Sequence, residues 1–249
     1  MCSPWSLYHK IIQPIPAIPV LEILQGEQWT MVRTVLGSGV ALSDSSGRRE
    51  KWESPFGRDL KELSQWVFSW DFRKASIGLA AINSFWNSTK VLTQNFGKNL
   101  LQLEPKQDIR GLLKSRYKNQ KIASIGHFPF LDELGEELDI SIVEINPRGN
   151  DFPASAAEFI LPNMDLVLVT GASLINKTFP RIAQLSRQAD LILMGPSTTC
   201  CPLYADLGVS QLAGVHCNRP QELREKISSG ARKEILKDGT CQNIQILFD

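Results

Sequence analysis

Charge of one sign is what this chain lacks first: 27 Lys and Arg residues face 26 Asp and Glu residues, a formal net charge of +1 over 249 residues. Without a cationic excess, general attraction to nucleic acid or to an anionic membrane surface is not a property to expect. Arg48, Arg49 and Lys51 form one small basic cluster, which reads as a solvated loop. Histidine is scarce, at three copies, and there is no His-Glu-x-x-His, Walker loop or Gly-x-Ser-x-Gly elbow. That removes the common zinc-protease, P-loop and serine-hydrolase readings. No apolar run is long enough to cross a bilayer. Met1-Cys2-Ser3-Pro4-Trp5 lacks the basic-then-apolar order of a secretory signal. Five cysteines, an odd number in a chain that can build a real core, fit reduced thiols better than a disulfide framework. Together these absences point to a cytoplasmic protein whose partner is a small molecule, with no nucleic acid and no membrane.

What is present is unevenly distributed. All six tryptophans precede residue 120, and regular alternation of strand and helix patterns begins only after it. Residues 1–28 carry Pro4, Pro14, Pro16 and Pro19, which predicts an irregular lead-in with one short helix. Trp29–Leu36 and Gly39–Ser43 are β-rich around Gly37-Ser38-Gly39, a hairpin pattern, and Asp44-Ser45-Ser46-Gly47 is a turn. Leu60, Leu63, Val67 and Trp70 recur at helical spacing across Asp59–Trp70, and a second helix is expected over Arg73–Asn87. Gln94–Lys106 reads as a connector, and Asp108 as the N-cap of a third helix reaching Tyr117.

From there short apolar runs predict strands at 121–125, 140–145, 165–170, 190–195, 211–216 and near 243–248. Helices are expected near 129–137, 153–160, 174–187, 202–207 and 219–229. Right-handed crossovers then make a doubly wound, Rossmann-like sheet. The expected fold class is α/β, divided into a smaller α+β domain over residues 1–118 and a parallel-sheet domain over residues 119–249.

In such sheets ligands bind beyond the carboxyl ends of the strands, and here those ends carry the small and polar residues. Gly126-His127-Phe128-Pro129 occupies the first of these turns, but a single glycine is not G-x-G-x-x-G, so a standard NAD or FAD site is disfavoured. His127 is either an acid–base or metal-binding group or a structural loop residue. Glu144 ends the second strand where an acidic group often meets a ribose; its alternative is a carboxylate that bonds the neighbouring loop backbone. Asn146-Pro147 puts an amide beside it. Thr170-Gly171 and Gly195-Pro196-Ser197-Thr198-Thr199 follow the next strands. Small residues and hydroxyls there suit an anion or carboxylate, and helix capping by Ser173, Ser197 or Thr198 is the plainer reading of each alone. Cys200-Cys201 and His216-Cys217 gather four soft ligands without metal-site spacing, which favours buried, inert thiols.

At Leu79-Ala80-Ala81-Ile82-Asn83, Glu144-Ile145-Asn146-Pro147, Leu161-Pro162-Asn163-Met164-Asp165, Thr170-Gly171, Asn176-Lys177-Thr178, Gly195-Pro196-Ser197-Thr198 and Gly214-Val215, the chain resembles a family of uncharacterised prokaryotic proteins described as "putative heavy-metal chelation". The resemblance spans residues 20–230 and implies a domain similar to the enolase N-terminal domain, followed by a Rossmann-like domain, with a site in the cleft between them. Carried over by position, Thr34, Gly37, Asn83 and Asn87 face that cleft from the first domain. Gly126, Glu144, Asn146, Thr170, Asn176, Thr178 and Ser197 face it from the second, with Gly171 and Gly195 in the same turns. Cys200-Cys201 departs from the family, which has small or apolar residues there.

The main expectation is therefore a protein that binds or transforms a small anionic or metal-chelating molecule. Glu144 acts as the acid–base or cation-binding carboxylate, Asn176 with Asn83 and Asn87 orients the ligand, and the Ser197 turn holds an anion. The cofactor implied is a metal ion or a metal–chelator complex, which a binding protein would sequester without turnover. An adenosyl- or nucleotide-binding enzyme, with Glu144 on a ribose, is the alternative. The tryptophan-rich first part could supply a face for a homo-oligomer.

Overall fold

The computed structural model describes residues 3–97, 109–135 and 137–248. A short helix, α1 (Ser6–Ile12), opens the chain and buries Leu7, Tyr8, Ile11 and Ile12. Three antiparallel strands follow, β1 (Val20–Gln25), β2 (Trp29–Thr34) and β3 (Ser38–Leu42), in that order across the sheet. The β2–β3 hairpin forms where Gly37 predicts it, closed by the Thr34 N–H donating to Gly37 O at 2.9 Å. Strand β1 corrects the reading of residues 1–28 as irregular. The prolines all stop at Pro19, and Val20 onward pairs with β2 through a bulge between Val20 and Glu22.

The periodicity across Asp59–Trp70 yields α2 (Leu60–Ser64), after which the chain tightens into a 3-10 turn over Gln65–Phe68. A reciprocal cap between Asp59 and Glu62 starts α2, as expected for this residue pair. The tightening is imposed from outside: a Cβ on Gly78 would lie 2.2 Å from Val67 N, so the turn passes directly over the next helix. That helix, α3 (Phe72–Trp86), is capped by Asp71 and lies as closely on β3, where a Cβ on Gly39 would meet Ser84 N at 2.1 Å. An unexpected helix, α4 (Thr89–Phe96), is capped by Ser88 and takes the first residues of the expected connector. Residues 98–106 of the connector, and Asp108, lie outside the described residues. Helix α5 (Ile109–Arg116) leads into the second sheet.

That sheet has seven strands: β4 (Ile122–Ile125), β5 (Ile140–Glu144), β6 (Phe152–Pro153), β7 (Leu166–Thr170), β8 (Asp190–Met194), β9 (Val209–Cys217) and β10 (Cys241–Leu247). Its spatial order is β10-β9-β8-β7-β4-β5-β6, parallel throughout except for β10 on β9. The chain thus grows outward from β4 in one direction and from β7 in the other. Strand β7 shows why such strands read as unbroken apolar runs. Val167 and Val169 join a core shared with Val32, Leu79 and Ile82 of the small sheet and α3, whereas Leu166 and Leu168 pack with Leu113, Tyr117 and Leu131. Both faces are covered.

Between these strands the helices are shorter than their patterns suggest. Among the described residues of the 129–137 segment there are turns and a bend and no helix, with Leu131 and Leu134 buried. The 153–160 segment becomes β6, a 3-10 turn over Ala154–Ala156 and α6 (Ala157–Ile160). The 174–187 segment becomes a 3-10 turn over Gly171–Leu174 and α7 (Phe179–Leu185), broken at Lys177, whose φ is +65°. The 202–207 segment is a 3-10 turn, and α8 (Pro220–Ser228) precedes a further 3-10 turn over Lys233–Leu236. No helix of the described residues is long and apolar enough to cross a membrane.

Candidate functional site

A cavity of about 990 Å³ opens where β4, β5, β7 and β8 end, under the segment from Leu42 to Ser46 that leaves β3. This is the point at which the strand order diverges, the usual binding crevice of open α/β sheets. Gly126, Glu144, Asn146, Thr170, Asn176, Thr178, Gly195 and Ser197 all line it. Gly126 and Gly195 leave their strands with φ of +101° and +103°, a left-handed exit that glycine makes without steric cost.

Thr34, Gly37, Asn83, Asn87 and Gly171 are placed elsewhere. Thr34 is buried in its own hairpin, where its Oγ1 accepts from the Leu36 N–H at 3.1 Å. Gly37 lies against Ser88: a Cβ there would come within 3.2 Å of the serine Cβ. Gly171 is packed under the turn after β8, with space for a Cβ denied by Thr198 N at 2.5 Å. Asn83 of α3 and Asn87, the C-cap residue one turn on, are buried and spend both ends of their amides on that same turn. Asn83 Nδ2 donates to Val40 O at 2.8 Å and Ser197 O at 3.1 Å, while its Oδ1 accepts from Thr199 Oγ1 at 2.5 Å. Asn87 Nδ2 donates to Thr198 O at 2.9 Å and Val215 O at 3.1 Å, and its Oδ1 accepts from the Cys200 N–H at 2.8 Å. Their saturated geometry makes them a clamp between the two sheets.

In the cavity wall Glu144 bonds the neighbouring loop backbone. Its Oε2 accepts from the His127 N–H at 3.0 Å and its Oε1 from its neighbour Ile145 N–H at 2.7 Å, so the carboxylate shapes the loop between β4 and the next segment. Thr170 likewise caps the 3-10 turn after β7, its Oγ1 accepting from the Ala172 N–H at 3.3 Å. Ser197 does not cap a helix; its Oγ accepts from the Leu42 N–H at 2.9 Å and ties the turn to β3. Asn176 Oδ1 accepts from both Thr178 N–H (3.1 Å) and Thr178 Oγ1 (2.7 Å), which leaves the amide NH2 uncommitted by that turn.

On the charged side of the cavity sequence reasoning singled out His127 but gave no role to Lys177 or Arg181. Lys177 stands between Asn176 and Thr178 in the left-handed region, its Nζ donating to Ser69 O and to Ile175 O and lying 4.8 Å from the Phe72 ring centroid. Burial pushes its pKa down to about 8, against the opposing pull of Glu50 and Asp44. Arg181 pairs through Nε and Nη2 with Glu158 at 2.8 and 2.5 Å. His127 Nδ1 is 3.0 Å from both Asp151 oxygens and its Nε2 is 2.8 Å from Asp132 Oδ1. Two carboxylates need two ring donors, so the geometry selects the imidazolium; the bond to Asp151, then that to Asp132, raises the pKa against the opposing effect of burial. The signal that could have found Lys177 was its place inside the Asn176–Thr178 piece, a polar turn interrupting an otherwise helical pattern.

Direct metal binding by this chain finds little support in its donors. Among the described residues no group of three or more His, Cys, Asp or Glu side chains is placed to hold a metal ion. Cys200 and Cys201 are buried, and burial pushes both thiols up to about 12. Cys200 fills the space over Gly214, where a Cβ would come within 2.7 Å of its Sγ, a packing reason for cysteine in this turn.

A family model described as "Putative heavy-metal chelation" matches residues 111–246, and a second model of the same description matches residues 8–86. A solved structure of a protein of unknown function from Desulfitobacterium hafniense superposes with a TM-score of 0.86 at 30% identity, covering 98% of each chain. A second, from Pyrococcus horikoshii, gives a TM-score of 0.77 at 18% identity over 97% of this chain and 98% of that one, a likeness of fold alone. An uncharacterised protein of Methanocaldococcus jannaschii is 27% identical over 180 residues, 69% of this chain and 66% of that protein's length.

Proposed function

The chain belongs to the family described as "Putative heavy-metal chelation", and on that premise we propose that its cavity binds a small anionic molecule that itself chelates metal. The observation that carries this reading is Lys177 in the cavity wall, its Nζ held by the backbone carbonyls of Ser69 and Ile175, while the neighbouring charges of Arg181 and His127 are shared with Glu158, Asp151 and Asp132. Among the described residues no group of three or more His, Cys, Asp or Glu is placed to hold a metal directly. A metal that reaches this site is then cargo, held by the chelator's carboxylates or phosphates, and the protein recognises the chelator. Lys177 supplies charge at the turn between Ile175 and Thr178, and the Asn176 amide NH2 supplies an oriented donor beside it. Glu144 keeps the His127 loop in place. Gly126 and Gly195 let a ligand approach the strand ends closely.

Thermal unfolding of the full chain with citrate, with its Ni(II), Zn(II) and Fe(III) complexes, with inorganic phosphate and with adenosyl compounds tests this reading. Saturating ligand at a hundred times its Kd stabilises by about 2.7 kcal/mol. A carboxylate or its metal complex should stabilise the wild type, and Lys177→Met should abolish that shift. Stabilisation by adenosyl compounds alone would replace the proposal with the nucleotide-binding alternative.

A further inference from the structure

At the edge of the seven-stranded sheet, Cys217 ends β9 and Cys241 begins β10, directly opposite one another in the antiparallel ladder. Their Sγ atoms are 3.1 Å apart, and both residues are buried against Trp29, Leu223 and Ile227. The Asn218 N–H donates to Thr240 O at 3.1 Å. That makes 218 and 240 a hydrogen-bonded pair and 217 and 241 the adjoining non-hydrogen-bonded one. In such pairs Cα atoms approach to ~4.5 Å, inside the ~4.4–6.8 Å range that a disulfide spans. Cys200 and Cys201, by contrast, are neighbours in the chain, and each packs into the turn after β8.

We infer that Cys217 and Cys241 are a modification site, forming a reversible intramolecular disulfide by exchange with a low-molecular-weight disulfide such as oxidised glutathione. The thiolate of one cysteine attacks oxidised glutathione, forming a mixed disulfide and releasing one glutathione thiolate. The second protein thiol then loses its proton and attacks the mixed disulfide, releasing the other glutathione. The protein gives up two electrons and two protons, and the oxidant leaves as two reduced glutathiones.

The edge position supplies the access that burial denies. Strand β10 is paired on one side only, so it can part from β9 without disturbing the parallel strands, and the sulfurs open as it separates from β9 and from Leu223 and Ile227 of α8, which share their buried cluster. The hydrogen bond with Cys241, together with burial, holds the Cys217 thiol protonated, so exchange follows strand opening and is slow. Once made, the bridge closes the loop that contains α8 and braces the end of β9. His216 sits there, its Nδ1 2.7 Å from Asn87 O, so the bridge lies immediately behind the Asn87 clamp.

Full-length protein equilibrated across ratios of oxidised to reduced glutathione, then alkylated, digested and analysed by mass spectrometry, tests the site. Toward the oxidising end the digest should yield one linked peptide pair carrying Cys217 and Cys241, two hydrogens lighter than the two free peptides, whatever glutathione Cys2 takes up. Its denaturant midpoint should rise and fall back on reduction. In Cys217→Ser or Cys241→Ser the remaining cysteine should take up a single glutathione and form no internal bridge. Glutathione on both cysteines at equilibrium, unmodified thiols at both positions throughout, or a bridge to Cys200 or Cys201 would each overturn the inference; the wild-type readout stands even where a variant folds poorly.

Discussion

The turn that follows β8 has a dry side and a wet side, and the same residue type serves opposite ends on the two. On the dry side Asn83 and Asn87 are buried, at 0% and 2% exposure, with every amide atom engaged on the turn, on β3 or on β9. Toward the wet side, Asn146 and Asn176 line the cavity. A buried amide must be fully paired or it costs stability, so one in this seam specifies how the two sheets dock. An amide at a cavity wall has water as its alternative partner, so it can exchange water for a ligand. The comparison teaches that placing Asn83 or Asn87 near a site is not the same as placing it in the site.

Breaking the dry side should give the largest effect. Asn87→Ala strands Thr198 O, Val215 O and the Cys200 N–H. It should lower the unfolding free energy by roughly 3 kcal/mol or more, read from urea denaturation. A loss under about 1 kcal/mol would mean that the clamp is not what joins the sheets. Gly171→Ala pushes a methyl group toward the Thr198 backbone from below the same turn, and should cost about 1–3 kcal/mol in the same assay.

Substitutions on the wet side sharpen the contrast, because they should change binding or titration more than stability. Glu144→Gln keeps the side-chain shape but turns one oxygen that accepts from a backbone N–H into a donor; about 1 kcal/mol should be lost. Lys177 has a folded pKa of about 8 against an ordinary 10.5. Between those values the unfolded chain binds the proton more tightly, so wild-type stability should rise with pH across that window, and Lys177→Met should remove the rise. Anion affinity should move the other way, falling as pH passes about 8 and the ammonium is lost. The smallest expected effect is local. Asp151→Asn should lower the His127 titration midpoint followed by NMR, since Asp151 is the main group raising it.

Much of the fold was legible because strand and turn signals are local. The runs at Asp165–Val169 and Asp190–Met194 are apolar on both faces, and their glycine-bearing exits mark the cavity floor. What escaped was set by partners on other elements, some near in the chain and some far. Strand β1 becomes a strand only against β2, and α2 tightens because Gly78 admits Val67 at close range. Lys177 breaks a helical pattern to reach Ser69 O, 108 residues away in sequence. Glu144 was placed at the cavity by its position, but its hydrogen bond from the His127 N–H depended on how the first turn folds back over it.

The order of residues alone determined that this chain builds an α/β protein with polar turns gathered at one end of a covered sheet, because apolar periodicity and turn chemistry act over a few neighbours. Tertiary structure alone decided which of those polar residues meet solvent and which are sealed into the seam. That choice depends on whether a side chain's hydrogen-bonding groups find protein partners across the interface, and for Asn83 and Asn87 those partners lie more than 40 residues away along the chain.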